Sequence, residues 1–165
     1  ERADQMLFSE LPMGSEEYTI FTTPDNREIQ PSDYSTFNGK KIGVNKGSLQ
    51  AELFRQWAKQ HDVHAELIEL TIDEVNSVKM LEAGEIDAYI TLNAYGDPDR
   101  LMPVCEIGSS DFYFAVNKER PDLVSDLNKA MYRIRSENPY YNQRMYERYM
   151  QRYGTNAFLS AEEEA

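Results

Sequence analysis

A chain of 165 residues can form one ordinary domain, or slightly more, and bury a core without disulfide or metal support. Its 29 acidic against 17 basic residues, a net charge of -12, exclude duplex nucleic acid and anionic membrane surfaces as partners, because both would be repelled. No apolar run approaches the roughly 18 to 20 residues that span a bilayer, so an export signal or membrane anchor is expected outside these residues.

In chain order, residues 18–22 (YTIFT) read as a strand, closed by the turn-forming cluster Pro24-Asp25-Asn26. After a polar connection, residues 41–45 (KIGVN) form a second strand, and Gly47-Ser48 follows as a tight turn with a helix N-cap. Leu49, Leu53, Phe54, Trp57 and Ala58 make one apolar stripe at helical spacing, as on a surface helix packed against a sheet. Residues 65–70 (AELIEL) are the next strand. The spacing Thr71-Ile72-Asp73-Glu74 is that of a capping box, with Thr71 as cap, Val75, Val78 and Leu81 as the buried stripe and Gly84 as terminator.

Residues 86–92 (IDAYITL) complete a β-α-β-α-β order, which predicts parallel strands joined by right-handed crossovers. Residues 102–107 and 112–117 (FYFAVN) read as two further strands, separated by Gly108-Ser109-Ser110-Asp111. Cys105, in the first of them, is the only cysteine; it reads as a small buried hydrophobe and rules out an internal disulfide. From Pro121 the pattern changes to two helices. Leu123, Leu127, Ala130, Met131 and Ile134 mark the first, and Asn138-Pro139 starts the second at N-cap and N1. On the second, Tyr141, Met145, Tyr146, Tyr149, Met150 and Tyr153 read as core or interface packing rather than an aromatic cage, and Arg144, Arg148 and Arg152 as a solvated face. The acidic end, 160–165, is expected to fray.

The segment most able to carry chemistry is strand, then Asn45-Lys46-Gly47-Ser48, then helix, where free N–H groups and the positive end of a helix dipole converge. Glycine lets a ligand approach the backbone, and the Ser48 hydroxyl can cap the helix or touch a carboxylate or phosphate. From these residues alone an anion site and a plain βα turn both remain open. Signals for catalysis are thin: no nucleophile elbow, no P-loop, no dinucleotide fingerprint, and two histidines, His61 and His64, with no partners at zinc spacing. The expectation is a protein without enzymatic activity, cofactor or metal.

Several segments together resemble the type II periplasmic-binding-protein-like solute-binding domains, in particular the amino-acid-type extracellular solute-binding proteins of family 3. They are Glu1-Arg2-Ala3 with Phe8-Ser9; Phe37-Asn38-Gly39-Lys40-Lys41-Ile42-Gly43-Val44 with Lys46-Gly47-Ser48; Leu81-Glu82-Ala83-Gly84-Glu85-Ile86-Asp87-Ala88; and Phe112-Tyr113-Phe114-Ala115-Val116-Asn117-Lys118. They keep the family's order to about Tyr153. The resemblance implies an α/β fold with a central, mostly parallel sheet, two hinge strands and C-terminal helices. It divides the chain into a lobe-one remnant with the first hinge strand (1–23), lobe two (24–107), a second hinge strand with return helices (108–153) and an acidic tail (154–165), and it leaves most of lobe one without a counterpart.

The resemblance further implies a small polar ligand in an interlobe cleft, with its anionic group on Lys46, Gly47, Ser48 and Leu49 and its other polar groups met by Thr91, Asn93 and Tyr95. Relatives often carry an aspartate for the ligand ammonium where Leu92 and Asn93 stand here, which removes a charge-assisted contact. The location implied is extracytoplasmic. The role read first is the sensing part of a membrane receptor such as a histidine kinase or diguanylate cyclase. The alternatives are the solute-binding protein of an ABC transporter and, further off, a cyclohexadienyl-dehydratase-like enzyme on the same fold. Because the two C-terminal helices would pack in relatives on strands with no counterpart here, either the first 17 residues or a second copy, by dimerisation or segment exchange, is expected to cover them.

Overall fold

The structure, a computed structural model, describes residues 3–71 and 73–149. Met150, Arg152, Tyr153 and the acidic tail lie outside the described residues. In chain order the elements are β1 (Met6–Phe8), β2 (Gly14–Thr22), β3 (Lys41–Asn45), α1 (Leu49–Gln60), β4 (Glu66–Leu70), α2 (Glu74–Glu82), β5 (Ala88–Leu92), β6 (Met102–Phe112), β7 (Ala115–Asn117), α3 (Pro121–Glu137) and α4 (Tyr141–Tyr149). Five strands form one sheet in the order β4-β3-β5-β2-β6, and β1 pairs with β7 in a separate two-stranded ladder. The chain divides into two compact units, residues 17–108 and residues 3–16 with 109–149, and β2 and β6 contribute residues to both.

In residues 17–108, β3 pairs in parallel with both β4 and β5, as the β-α-β-α-β order predicts, while β2 runs antiparallel to β5. Both faces of the sheet are covered. On one, Ala51, Phe54 and Trp57 of α1 pack with Ile20, Ile42, Val44 and Ile90. On the other, Val78 and Leu81 of α2 pack with Phe21, Ile86 and Tyr89. Trp57 anchors an aromatic group, with its ring centroid 5.0 Å from Tyr34 and 5.5 Å from Phe37, both edge-on. Such pairs add about 0.5–1.5 kcal/mol beyond area burial.

Several local expectations change. Leu49 and Val75, assigned to buried stripes, are exposed, and the polar Gln50 and Ser77 are buried in their helices. The cap of α2 is Asp73, whose carboxylate accepts from the Asn76 N–H at 2.9 Å, two residues beyond the expected Thr71; Asp lies in the extended conformation from which its short side chain reaches that donor. Asn138 closes α3 and receives the Tyr141 N–H on its carbonyl, so α4 starts at Tyr141 and Pro139 belongs to the turn.

The largest difference concerns residues 102–117. Gly108-Ser109-Ser110-Asp111, expected to separate two strands, instead runs inside β6, because sheet pairing beside β2 outweighs the turn propensity of these residues. Gly108 has φ 147, a conformation open to glycine. The strand then breaks at Tyr113 and Phe114 before β7, so 112–117 is not one continuous strand.

The other unit has little interior. Its β1–β7 ladder pairs Met6 with Asn117 and Phe8 with Ala115. Polar contacts hold the rest. Ser9 Oγ donates to the Leu11 carbonyl, Asn128 Oδ1 accepts from the Glu10 N–H, and Tyr132 donates to the Glu10 carboxylate. Neither α3 nor α4 has a buried residue among those described.

Candidate functional site

Because β3 and β5 are parallel neighbours, the turns that follow them leave the sheet on one edge, the edge where α/β sheets present ligand sites. The first is residues 45–49. Lys46 N–H donates to the Leu70 carbonyl at 2.8 Å and Ser48 N–H to the Asn45 carbonyl at 3.2 Å, which fixes the turn. Gly47, exposed and at φ 68 with open space where a Cβ would stand, makes the reversal. Ser48 is the N-cap residue of α1, but its hydroxyl does not cap. It donates to the Asn45 carbonyl at 2.5 Å, so the first-turn N–H groups of α1 are left to another acceptor. Lys46 and Leu49 are exposed beside it.

The second turn is a single 3-10 turn, Asn93–Tyr95. Asn93 is buried, Tyr95 is 62% exposed, and Thr91 lies inside β5, buried opposite Thr19 of β2. The seven expected site residues thus fall into three settings: Lys46, Gly47, Ser48 and Leu49 on one turn, Asn93 and Tyr95 on the next, and Thr91 within the sheet.

Residues not singled out in the sequence join Asn93. The register Tyr18↔Leu92 brings Glu17 of β2 beside it, and Asn93 Nδ2 donates to Glu17 Oε2 over a long 3.5 Å. On β6, next to β2, Glu106 is exposed, yet the partial desolvation of its carboxyl and then the Glu17 charge raise it above the usual glutamate value. Side-chain oxygens of Thr19, Gln50 and Asn93 are buried without a hydrogen-bond partner. Each such group costs about 1–3 kcal/mol in a folded protein until a partner arrives. Glu17 and Glu106 could not be picked from the sequence, since only the pairing of β2 with β5 and β6 distinguishes them from 27 other acidic residues.

Other reactive groups lie apart. Cys105 is buried, and burial pushes its thiol up to about 12. His61 Nδ1 sits 2.8 Å from the Trp57 carbonyl and His64 beside Asp62. No three His, Cys, Asp or Glu side chains converge as a metal cluster among the described residues, and no described helix is long and apolar enough to cross a membrane. Two surface depressions, one against Phe54, Ala58, Lys59 and His64 and one against Asn138, Tyr141 and Arg144, involve neither turn.

Among solved structures, the probable amino-acid ABC transporter extracellular-binding protein YtmK of Bacillus subtilis matches 92% of this chain and 66% of its own, with a TM-score of 0.74 at 18% identity. The fold is that of a type II periplasmic solute-binding protein. Substrate-binding domain 2 of GlnP from Lactococcus lactis, in its open conformation, matches 90% of this chain and 64% of its own, with a TM-score of 0.57 at 20% identity. An ancestral amino-acid-binding protein described as a precursor of cyclohexadienyl dehydratase matches 91% and 64%, with a TM-score of 0.61 at 21% identity. The chain therefore spans just under two thirds of the length of these structures. No family model matches the sequence, and no curated protein does.

Proposed function

We propose that this chain is a non-catalytic, extracytoplasmic binding module for a small polar solute of the amino-acid class. The observation that carries the reading is the shared edge of the 45–49 and 93–95 turns, one ending at a helix start without a side-chain cap and the other in a buried, half-satisfied carboxamide. The turn Lys46, Gly47, Ser48 and Leu49 receives the anionic group of the ligand at the positive end of α1, with the Lys46 ammonium beside it; the Lys46 and Ser48 N–H groups are engaged within the turn, which leaves Gly47 and Leu49 as its backbone donors. Asn93 and Tyr95 meet its remaining polar groups, and Thr91 supports them from within β5. The fold neighbours named above are proteins of amino-acid transport or an amino-acid-binding ancestor, which supports delivery to a transporter over the receptor-input role read first from the sequence.

A thermal-shift screen of the protein against amino acids, small organic acids and polyamines tests the reading. A ligand at a hundred times its dissociation constant adds about 2.7 kcal/mol of stability. The expected result is a shift with at least one amino acid and recovery of that ligand unchanged. Ser48→Asp should abolish the shift for carboxylate ligands through like-charge repulsion at the helix end. No shift from any candidate would remove the proposal.

A further inference from the structure

We propose that the outer edge of β4 is a docking surface for an extended, acidic segment of a partner protein. β4 ends the five-stranded sheet on one side, with β3 as its one strand neighbour. The Glu66 N–H donates to the Lys40 carbonyl at 2.8 Å and the Leu70 carbonyl accepts from the Lys46 N–H at 2.8 Å, so the alternate residues Glu66, Ile68 and Leu70 turn their backbone groups to β3. Leu67 and Glu69 lie between them. Their N–H and C=O groups point outward, where no described residue bonds them. Two donors and two acceptors at strand spacing form a template for one more strand.

A depression of about 510 Å³ borders the same edge on the α1 side. Its floor is apolar: Phe54 and Val63 are buried, and Ala58 and Leu67 are half-buried. Its charged lining is Arg55, Lys59 and His64 against the carboxylate of Asp62, whereas residues 17–108 as a whole carry 16 Asp and Glu against 8 Lys and Arg. The charge balance is reversed here. Arg55 bridges Glu69 at 3.1 Å, which neutralises the one glutamate on this face of β4 that would repel an incoming acidic strand, and Lys59 has no ion-pair partner among the described residues. Leu67 packs with the α1 cluster and Glu69 meets Arg55, so both side chains lie on the α1 face. A strand bonded to their backbone groups therefore sets alternate side chains over the depression and Lys59. The open edge selects an extended chain, the floor an apolar side chain and Lys59 a carboxylate. A second copy joined β4 to β4 would instead line up Glu66 and Glu69 of both copies between chains of net charge -12 each, so the partner is a different chain.

The probes are end-blocked peptides, Thr-Val-Glu-Val-Thr, its lysine counterpart Thr-Val-Lys-Val-Thr, and the glutamate peptide N-methylated along its backbone so that it cannot pair. Each is titrated at low salt against the isotope-labelled protein while the amide signals of Leu67 and Glu69 are followed. The glutamate peptide should shift both amides, slow their hydrogen exchange and bind about threefold or more tighter than the lysine peptide, the scale of an exposed ion pair. The N-methylated peptide should leave both amides unmoved. Lys59→Glu should reverse the preference between glutamate and lysine while the melting temperature and any solute-induced shift stay as in wild type; if that variant does not fold, Lys59→Gln should bring the two peptides to equal affinity. Amides of Leu67 and Glu69 that no peptide moves at millimolar concentration would overturn the proposal, as would a lysine peptide that binds wild type as tightly as the glutamate one. Shifts at these amides that follow protein concentration without peptide would assign the edge to a second copy and overturn it too. Solute binding at the 45–49 turn stands or falls separately.

Discussion

Residues 17–108 and the rest of the described chain handle apolar side chains in opposite ways. In the first unit a five-stranded sheet has helices on both faces, and every fully buried hydrophobic residue of the described chain lies there, between Tyr18 and Ile107. In the second unit a two-stranded ladder and two helices leave Phe8, Met13, Leu123, Tyr132, Tyr140 and Tyr149 between 41% and 68% exposed, and Ser9 is its only buried residue among those described. A pair of strands presents too little area to cover two amphipathic helices, whereas five strands can take a helix on each face. The apolar stripe on α3 is as regular as that on α1. Periodicity says that a helix has a face to bury; it does not say that the chain supplies the cover.

Core truncation should give the largest contrast. Phe54→Ala removes a side chain that is 2% exposed in the interior of the first unit and should cost about 3–5 kcal/mol. Leu123→Ala, at a site 41% exposed on α3, should change stability by about 0.5 kcal/mol or less. Urea unfolding midpoints of the two variants measure this directly. Equal losses would break the comparison, and would mean that the α3 face is covered in solution.

How much was legible follows the same division. The elements of residues 41–92 were readable because each has a strong local signature: β-branched runs for the strands, a helical stripe for α1, and a glycine at the end of α2. The parallel pairing followed from their order alone. What failed were the places where a partner outside the window decides. Leu49 reads as apolar and Gln50 as polar, yet the start of α1 is set by the turn after β3, and that phase buries Gln50 and exposes Leu49. Gly108-Ser109-Ser110-Asp111 looks like a connector, yet the neighbouring β2 keeps it in a strand. The site was half legible for the same reason. The 45–49 turn is one local motif, whereas the grouping of Asn93, Glu17 and Glu106 depends on pairing across 89 residues.

Helix starts sharpen the contrast at a smaller scale. In the first unit, Asp73 caps α2 with its carboxylate, so Asp73→Ala should cost about 1 kcal/mol. Ser48 occupies the cap position of α1 without capping, and Arg120 that of α3, also without a side-chain cap bond. Ser48→Ala and Arg120→Ala should therefore fall well below the Asp73 effect in thermal denaturation. A loss at Ser48 as large as at Asp73 would show that its bond to the Asn45 carbonyl holds the turn as firmly as a cap would.

The smallest expected effect is in pH dependence, where only the first unit should respond measurably. Burial and the Glu17 charge raise the Glu106 carboxyl above its ordinary value, so the folded chain takes up this proton more readily than the unfolded one. The stability linked to Glu106 is then fully present below the ordinary glutamate pKa, about 4.3, and is lost as pH rises through the raised folded value. In the second unit the hydrogen bond from Arg120 lowers the Asp122 carboxyl, so its contribution is present above the ordinary aspartate value and lost as pH falls through the lowered one. Asp122 is fully exposed, and solvent screening makes that contribution negligible. Melting temperatures between pH 4 and 7 should accordingly separate Glu106→Gln from wild type, with the variant losing less stability as pH rises, while Asp122→Asn follows wild type throughout. Identical slopes for Glu106→Gln and wild type would show that neither partial burial nor the Glu17 charge acts on this carboxyl in the folded chain.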